Sequence, residues 1–216
     1  MKNLLSNQPI AVKVALAPVV VLLCLLVLAV VTGAWTGATP AMAASLEGQA
    51  FDETAVLSER TLRLNGLGLR GVAWIKAFVA GLYLPSTTRD AGVALSMPGP
   101  KRLQLKVMLE APAAELSKSL NRRVRRHEPA AVHQKLAPRL EALTADIDAM
   151  GTLKAGDVID LDYVPDQGVM LRKNGVSVGR LQPGEDLYRA VLKVFIGDHA
   201  IDQRMKDGLM RGGVKT

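Results

Sequence analysis

A glycine-rich stretch, Asn65 to Gly71 (NGLGLRG), carries one side chain that could bind an anion, Arg70. The planar fork of donors on a guanidinium matches a carboxylate or a phenolate. At the mouth of an apolar cleft, Arg70 would pair with the acidic end of a small ligand. The alternative is a surface arginine beside a turn, with glycines that serve only positive φ angles or close backbone packing.

Four aromatic residues are candidates for the walls of such a cleft: Trp74, Phe78, Tyr188 and Phe195. Ligand clefts are mostly apolar and aromatic, with few polar anchors. Each of the four, taken alone, is better explained by packing in the core. We expect these residues to form a ligand-binding site together with Arg70.

The other reactive residue types suggest little chemistry. His127 and His133 are six positions apart, which does not match a helical metal pair, and His199 follows much later. Cys24 is the only cysteine. No phosphate loop, nucleophile elbow or dinucleotide fingerprint occurs. We therefore expect no metal site and no cofactor.

A basic run, NRRVRRHE at positions 121–128, ends a predicted helix. Its four arginines complement the negative end of the helix dipole, which predicts a solvated helix face. The alternative partner is an anionic membrane surface, which attracts each nearby cation by up to about 1 kcal/mol.

Residues 1–43 have the pattern of an export signal. A basic start (Lys2 and Lys13) precedes an uncharged apolar run, Val14 to Val31, and positions 41–43 (AMA) fit a cleavage site. The run also reaches the lower length limit for a membrane span, so an uncleaved anchor is the alternative. Either way, we expect the rest of the chain to be periplasmic or otherwise exported.

Charge and location narrow the classes of partner. The chain of 216 residues carries a formal net charge of +7, of which Lys2 and Lys13 contribute two. Outside the cytoplasm, nucleic acid is a poor partner for this modest charge, and a small acidic or amphipathic molecule is the better one. The oligomeric state stays open.

Periodicity predicts an α+β fold. Strands are expected at 61–65, 72–84, 101–109, 157–164, 169–173 and 176–181, with the glycines after position 65 turning the chain. Helices are expected at 113–126, 129–150, 184–196 and from Asp202, as N-cap, to about Gly212, with Pro138 kinking or dividing the second. Residues 44–60 are expected to be a flexible segment. Strands and helices grouped in this way indicate helices gathered on one face of an antiparallel sheet.

Four motifs in order, LNGLGLRG, FVAGLYLP, MLRKNGVSVGRL and LYRAVLKVFIGDHAIDQRMKDGL, resemble the chalcone isomerase family. The resemblance is strongest to exported bacterial chalcone-isomerase-like domains and runs from about Thr61 to Gly212. It implies an open-faced β-sandwich, in which a layer of helices covers a large antiparallel sheet and a ligand cleft lies between them. We expect one such domain at 61–216.

The resemblance also implies catalytic positions, most of which are not kept. Arg70 matches the arginine of the family's glycine turn, but Phe78 stands where the plant enzymes have a threonine. Val194 and Phe195 replace a second threonine and its neighbour, and Lys135 lies in a region without the plant enzymes' tyrosine and asparagine. One lost oxyanion donor typically costs about 10²- to 10³-fold in rate. We therefore expect no catalytic residues and no chalcone isomerase activity.

Three functions follow from these patterns. The first is an exported, non-catalytic protein that binds a fatty-acid-like ligand through Arg70. The second is an isomerase of the intramolecular-lyase class, with Arg70 as electrophilic anchor and Tyr83 or Lys135 as acid or base. The third is an envelope protein whose basic helix binds a membrane surface or a protein partner.

Overall fold

The computed structural model describes residues 43–72 and 74–213, which form an α+β domain. Its strands are β1 (Ala43–Leu46), β2 (Gln49–Asp52), β3 (Thr54–Leu57), β4 (Arg60–Val72), β5 (Ile75–Leu84), β6 (Lys101–Val107), β7 (Ala111–Pro112), β8 (Thr152–Leu153), β9 (Val158–Val164), β10 (Gly168–Lys173) and β11 (Val176–Gln182). Its helices are α1 (Ala91–Ser96), α2 (Ala113–His127), α3 (Ala130–Asp148), α4 (Glu185–Ile196) and α5 (Gln203–Leu209).

Seven strands form one antiparallel sheet in the order β11-β10-β9-β6-β5-β4-β3. The strands β1 and β2 form a separate hairpin, and β7 and β8 form a short pair at the start of α2. The predicted fold class, a large antiparallel sheet with helices on one face, is confirmed.

One face of the sheet is covered by helices and carries the main core. Leu82, Leu103 and Leu161 lie side by side across β5, β6 and β9, and all three are buried. They belong to the same cluster as Leu140 of α3 and Val191 of α4. The apolar side chains that alternate along β6 and those that form a stripe on α4 therefore both face the core on this side of the sheet.

The second face of the sheet carries a smaller core and a polar layer. The hairpin of β1 and β2 packs here, with Phe51 in the same cluster as Val79 and Tyr83. Beside this cluster, Arg102 makes two hydrogen bonds of 2.6 and 2.7 Å to the buried carboxylate of Asp162. A bidentate pair of this kind satisfies a carboxylate that would otherwise be costly to bury.

The sequence predicted that the glycines of NGLGLRG turn the chain. This is wrong, because they lie inside the 13-residue strand β4. A Cβ atom on Gly66 would overlap the carbonyl oxygens of Gly208 and Leu209, and one on Gly68 would overlap Met205. The glycines are therefore needed because α5 packs directly on the strand backbone, which leaves no room for a side chain.

Residues 44–60 were expected to be flexible, and this is wrong, because they form β1, β2 and β3. Ala44, Phe51 and Leu57 are buried, whereas most of their neighbours are exposed. The turn between β1 and β2 includes Gly48 at φ +75°. Strands of four residues with one buried side chain each carry too short an alternation to be recognised in sequence.

Two further boundaries differ from the prediction. The strand expected from position 72 begins only at Ile75, because the chain turns between β4 and β5. Helix α3 runs unbroken from Ala130 to Asp148 with Pro138 inside it, so the expected division does not occur. In contrast, Asp202 caps α5 as predicted, and its side chain accepts a hydrogen bond from the backbone of Met205.

The predicted export signal lies outside the described residues, apart from Ala43. Among the helices of residues 43–72 and 74–213, none combines the length and the apolar character needed to cross a bilayer.

Candidate functional site

An apolar cavity of about 40 Å³ lies between the helix-covered face of the sheet and the helices. Its walls come from β5, β6, β9, β10, α2, α3, α4 and the loop after α4. They are almost entirely hydrocarbon: Phe78, Leu103, Leu105, Leu116, Ser119, Leu120, Ile147, Ile159, Leu161, Leu171, Val191, Val194, Phe195 and Ile201. Pockets for organic ligands usually measure about 300–1,000 Å³. A ligand larger than a few water molecules must therefore displace side chains from these walls.

Part of the cavity wall is less completely buried than the rest. Phe78, Leu116 and Ile201 are only partly buried, whereas Leu161, Val191 and most other wall residues are buried. The partly buried side chains come from β5, from α2 and from the loop between α4 and α5. We refer to this part of the wall, defined by Phe78, Leu116 and Ile201, as the cavity mouth.

Arg70 lies next to the cavity mouth. The register of β4 and β5 places it directly opposite Phe78, on the same helix-covered face. Its Nη1 atom donates to Oδ2 of Asp202 at 3.1 Å, and the two side chains are 26% and 16% exposed. Because Asp202 follows Ile201 in the chain, the guanidinium of Arg70 already holds a carboxylate beside the mouth.

A second guanidinium, that of Arg123 on α2, stands close to Arg70. Burial, together with the charges of Arg70, Arg122 and Arg126, lowers the pKa of Arg123. Its Nε atom is buried and has no hydrogen-bond partner among the described residues. A buried donor without a partner is costly, so Arg123 offers a favourable position for an incoming anion.

The structure brings together only part of the predicted ligand site. Phe78 and Phe195 line the cavity, and Arg70 is adjacent to Phe78. Trp74 does not line it, because it lies in the turn between β4 and β5 with 88% of its surface exposed. Tyr188 is buried on α4 and also lies outside the cavity walls.

Tyr188 instead belongs to an aromatic pair within the core. Its ring centroid is 5.5 Å from that of Tyr163, and burial raises its pKa well above the usual range. The hydroxyl has no hydrogen-bond partner among the described residues.

Neither residue considered as an acid or base lies in the cavity wall. Tyr83 projects from the second face of the sheet, where its hydroxyl donates to the carbonyl of Asp52 at 3.0 Å and where burial raises its pKa. Lys135 is exposed on α3. The cavity therefore provides a cation at its mouth but neither of these groups as a proton donor or acceptor inside.

Two histidines lie close together at the end of α2. The rings of His127 and His199 are 5.7 Å apart and stand edge to face. Burial, with the nearby His199 and Arg123, lowers the pKa of His127. Within residues 43–72 and 74–213, no cluster of three or more histidine, cysteine, aspartate or glutamate side chains could hold a metal ion.

A larger and more open groove of about 1200 Å³ runs along β4, between β1 and α5. Gly66 and Gly68 contribute to it, and so does Asp202, but Phe78 and Phe195 do not. Its walls mix exposed backbone, charged side chains and apolar side chains. The small cavity, with its continuous hydrocarbon wall, is therefore the better site for an apolar ligand, although the groove is larger.

The sequence profile of the chalcone isomerase-like family matches residues 43–211. The chain belongs to the chalcone isomerase-like family. The match begins at Ala43 and so includes β1 to β3, whereas the motifs alone placed the resemblance only from about Thr61.

Among solved structures, the domain is similar to the crystal structure of an Arabidopsis thaliana fatty-acid binding protein. The TM-score is 0.59 at 17% sequence identity, and the alignment covers 79% of this chain and 97% of that one. At this identity the similarity establishes a common chalcone isomerase-like fold. None of the curated protein sequences matches the chain significantly.

Two residues of the site could not be assigned to it from sequence alone. Asp202 was recognised as a helix cap, and Arg123 as part of a basic run, but nothing local connects either residue with Arg70. The connection follows from the packing of α2 and α5 beside the end of β4. This packing brings Asp202 into contact with Arg70, which lies 132 positions earlier in the sequence.

Proposed function

We propose that this protein binds a small amphiphile with one acidic end, such as a fatty acid, without catalysing chalcone cyclisation. The observation that carries the proposal is the position of Arg70. It stands opposite Phe78, whose ring lines the apolar cavity, and its guanidinium is paired with a carboxylate. The fatty-acid binding protein of the same fold supports this choice of ligand class.

In this proposal the ligand carboxylate takes the position of the Asp202 carboxylate. Arg70 provides the first set of donors, and Arg123, whose Nε atom has no partner among the described residues, provides the second. Charge-assisted hydrogen bonds of this kind are about twice as strong as neutral ones. The two guanidinium groups also repel each other less once an anion lies between them.

The hydrocarbon tail enters between Phe78, Leu116 and Ile201. A cavity of about 40 Å³ cannot hold such a tail, so these partly buried side chains must move outward as it enters. Each methylene that leaves water contributes about 0.8 kcal/mol, and this gain offsets the cost of opening the cavity. Affinity is therefore expected to rise with chain length until the tail exceeds the space between the sheet and the helices.

The proposal is tested by titration calorimetry of the full chain with saturated fatty acids of increasing length. Replacing Arg70 with Gln should weaken binding by about 30-fold, since it leaves the ligand carboxylate short of a partner. The matched control is Arg63→Gln, which removes an exposed arginine from the far end of the same strand. Failure of the wild-type chain to bind any fatty acid would reject the proposal.

A second ligand series separates the head group from the tail. Primary alcohols of the same length keep the apolar part but lack the negative charge. We expect them to bind the wild-type chain weakly and to be almost unaffected by Arg70→Gln. Equal losses for acids and alcohols would assign Arg70 a structural role instead.

Export of the protein is part of the proposal and rests on the pattern of residues 1–43. Fractionation of cells that produce the full chain should recover the domain outside the cytoplasm, in soluble form if the signal is cleaved and with the membrane if it is retained. Recovery from the cytoplasm alone would remove this part of the proposal and leave ligand binding unaffected.

A further inference from the structure

Three large apolar side chains are exposed at one end of the sheet. Trp74 and Ile75, at the turn between β4 and β5, have 88% and 48% of their surface exposed, and Leu109 has 48%. Leu109 is adjacent to this turn, because its backbone N–H donates to the carbonyl of Ala77 at 3.2 Å. Exposed apolar side chains that cluster in this way mark surfaces that contact another partner. We call Trp74, Ile75 and Leu109 the apolar tip.

The cations of α2 gather at the same end of the domain. Leu120 of α2 lines the same cavity as Phe78 of the β4–β5 hairpin, and Arg123 follows Leu120 by three residues on the helix. Burial, together with the charges of Arg70, Arg122 and Arg126, lowers the pKa of Arg123. Arg122 and Arg126 are exposed and make no salt bridge within the described residues.

The acidic residues around the apolar tip leave a positive excess. Glu47 pairs with Lys76, and Asp202 pairs with Arg70. Glu110, next to Leu109, is exposed beside the tip, and Asp198 is exposed next to His199, whose ring lies close to that of His127 at the end of α2. These two carboxylates are outnumbered by the exposed Arg122, Arg125 and Arg126 and the half-buried Arg123 of α2, so the surface as a whole attracts anions.

We propose that the apolar tip and the arginines of α2 together bind an anionic phospholipid surface. Tryptophan is enriched where membrane and water meet, because its ring is largely apolar but carries a polar N–H group. Arginines beside it would lie at the level of anionic headgroups. A surface with both features is better suited to a bilayer than to a soluble protein. A soluble partner would need a contact surface shaped to fit this hairpin, whereas a bilayer adapts to it.

This orientation would also place the cavity mouth toward the lipid. Phe78 belongs to the cavity wall and lies four residues after Trp74 on the same hairpin, and Arg70 lies four residues before it. If the proposed function holds, a fatty acid could pass between the bilayer and the cavity without crossing bulk water. Membrane binding itself does not depend on that function.

Trp74 can report its own environment in the full chain. The chain has two tryptophans, Trp35 and Trp74, so Trp35→Phe leaves Trp74 as the only tryptophan. Vesicles of phosphatidylcholine with one quarter phosphatidylglycerol should shift its emission to shorter wavelength, and brominated lipid should quench it. Pure phosphatidylcholine should have a much smaller effect. This local signal is not produced by an N-terminal anchor, which would attach the chain to both kinds of vesicle.

Charge removal gives the second measurement. Arg122→Gln combined with Arg126→Gln should weaken the vesicle-dependent signal about 25-fold, at roughly fivefold for each cation. The matched control is Arg60→Gln combined with Arg63→Gln, which removes the same charge from the opposite end of β4 and should leave the signal unchanged. Salt at 0.5 M should weaken the wild-type signal strongly.

Two results would overturn the proposal. One is an emission of Trp74 that is indifferent to anionic vesicles. The other is a response to soluble polyglutamate without a response to vesicles, which would assign the surface to an acidic protein partner. Calorimetry with a fatty acid in the absence of vesicles separates the two proposals, because Ile75→Ser, which keeps Trp74 as the reporter, should weaken the vesicle signal and leave fatty-acid affinity unchanged.

Discussion

The ion pair of Arg70 and Asp202 joins the end of β4 to the start of α5. While Oδ2 of Asp202 accepts from Arg70 at 3.1 Å, Oδ1 accepts from the backbone N–H of Met205 at 3.1 Å and so caps the helix. One carboxylate thus anchors α5 and neutralises the cation at the cavity mouth. In the proposed function, a ligand must compete with it.

Asp202→Asn should therefore increase the affinity for fatty acids. Asparagine is as good a helix cap as aspartate, so the bond to Met205 is kept while the charge that competes for Arg70 is removed. A partly exposed ion pair contributes about 0.2–1 kcal/mol, which corresponds to about a 1.4- to fivefold gain in affinity. Titration calorimetry with a single fatty acid measures the change.

Asp202→Ala is the comparison for this prediction. It removes the competing charge but also the cap, which lowers the free energy of unfolding by about 1 kcal/mol. Its affinity should rise as in the asparagine variant, with a lower melting temperature. Unchanged or weaker binding in both variants would mean that Asp202 does not occupy the ligand position.

Gly68→Ala should destabilise the domain. The added Cβ would overlap the carbonyl oxygen of Met205 and lie 2.7 Å from its Cγ atom, so α5 must shift away from β4. Overlap in a packed core of this kind costs about 2–3 kcal/mol. Chemical denaturation monitored by circular dichroism measures the loss.

Gly92→Ala provides the control for this substitution. Gly92 lies in α1, and the only atom near its added Cβ is the Asp90 carboxylate oxygen at 3.1 Å. Alanine also favours a helix over glycine, so the stability should change by less than about 1 kcal/mol. Equal effects at both positions would contradict close packing of α5 on β4 as the reason for Gly68.

Asn65→Ala should be comparably destabilising, for a different reason. The Asn65 side chain is fully buried, donates to the carbonyl of Leu209 at 2.7 Å, and accepts from the backbone N–H of Thr88 at 2.7 Å. Alanine leaves both backbone groups without these partners, at about 1–3 kcal/mol for each buried group. Hydrogen exchange should become faster at Thr88. Unchanged exchange there would contradict this role.

Sequence patterns predicted the elements whose stabilising contacts repeat along the chain. The alternation of β6 and the apolar stripe of α4 placed both within about two residues of their observed bounds. Each has one buried face, so periodicity alone identifies it. Asn65, Gly66 and Gly68 have the composition of a turn, and their purpose depends on α5, which lies about 140 positions away.

The sequence predicted which residues belong to the candidate site better than it predicted how they are arranged. Arg70 and Phe78 were identified from the family motif, and the register of β4 and β5 places them side by side. Trp74, only four residues from each, lies in the turn and is exposed. Asp202 could not be linked to Arg70, because an ion pair between distant segments leaves no periodic signal in the sequence.

Asp157→Asn should make the free energy of unfolding less dependent on pH in the acid range. The hydrogen bonds that this carboxylate accepts from the backbone N–H of Lys154 and from the Asn174 side chain, together with Lys173, lower the pKa of Asp157 from its ordinary value of 3.8 to about 2. The unfolded chain therefore binds a proton first as the pH falls. The stabilisation is complete above about pH 4 and disappears as the pH falls through about 2.

At neutral pH we expect Asp157→Asn to lower the free energy of unfolding by about 1–2 kcal/mol, because the charge-assisted hydrogen bonds weaken. The difference from wild type should shrink below pH 4 and vanish near pH 2, as measured by urea denaturation across this range. Asp166→Asn, at an exposed turn position with positive φ that asparagine tolerates, is the control and should change little at any pH. A constant difference between the Asp157 variant and wild type down to pH 2 would mean that the carboxylate is not stabilised by these contacts.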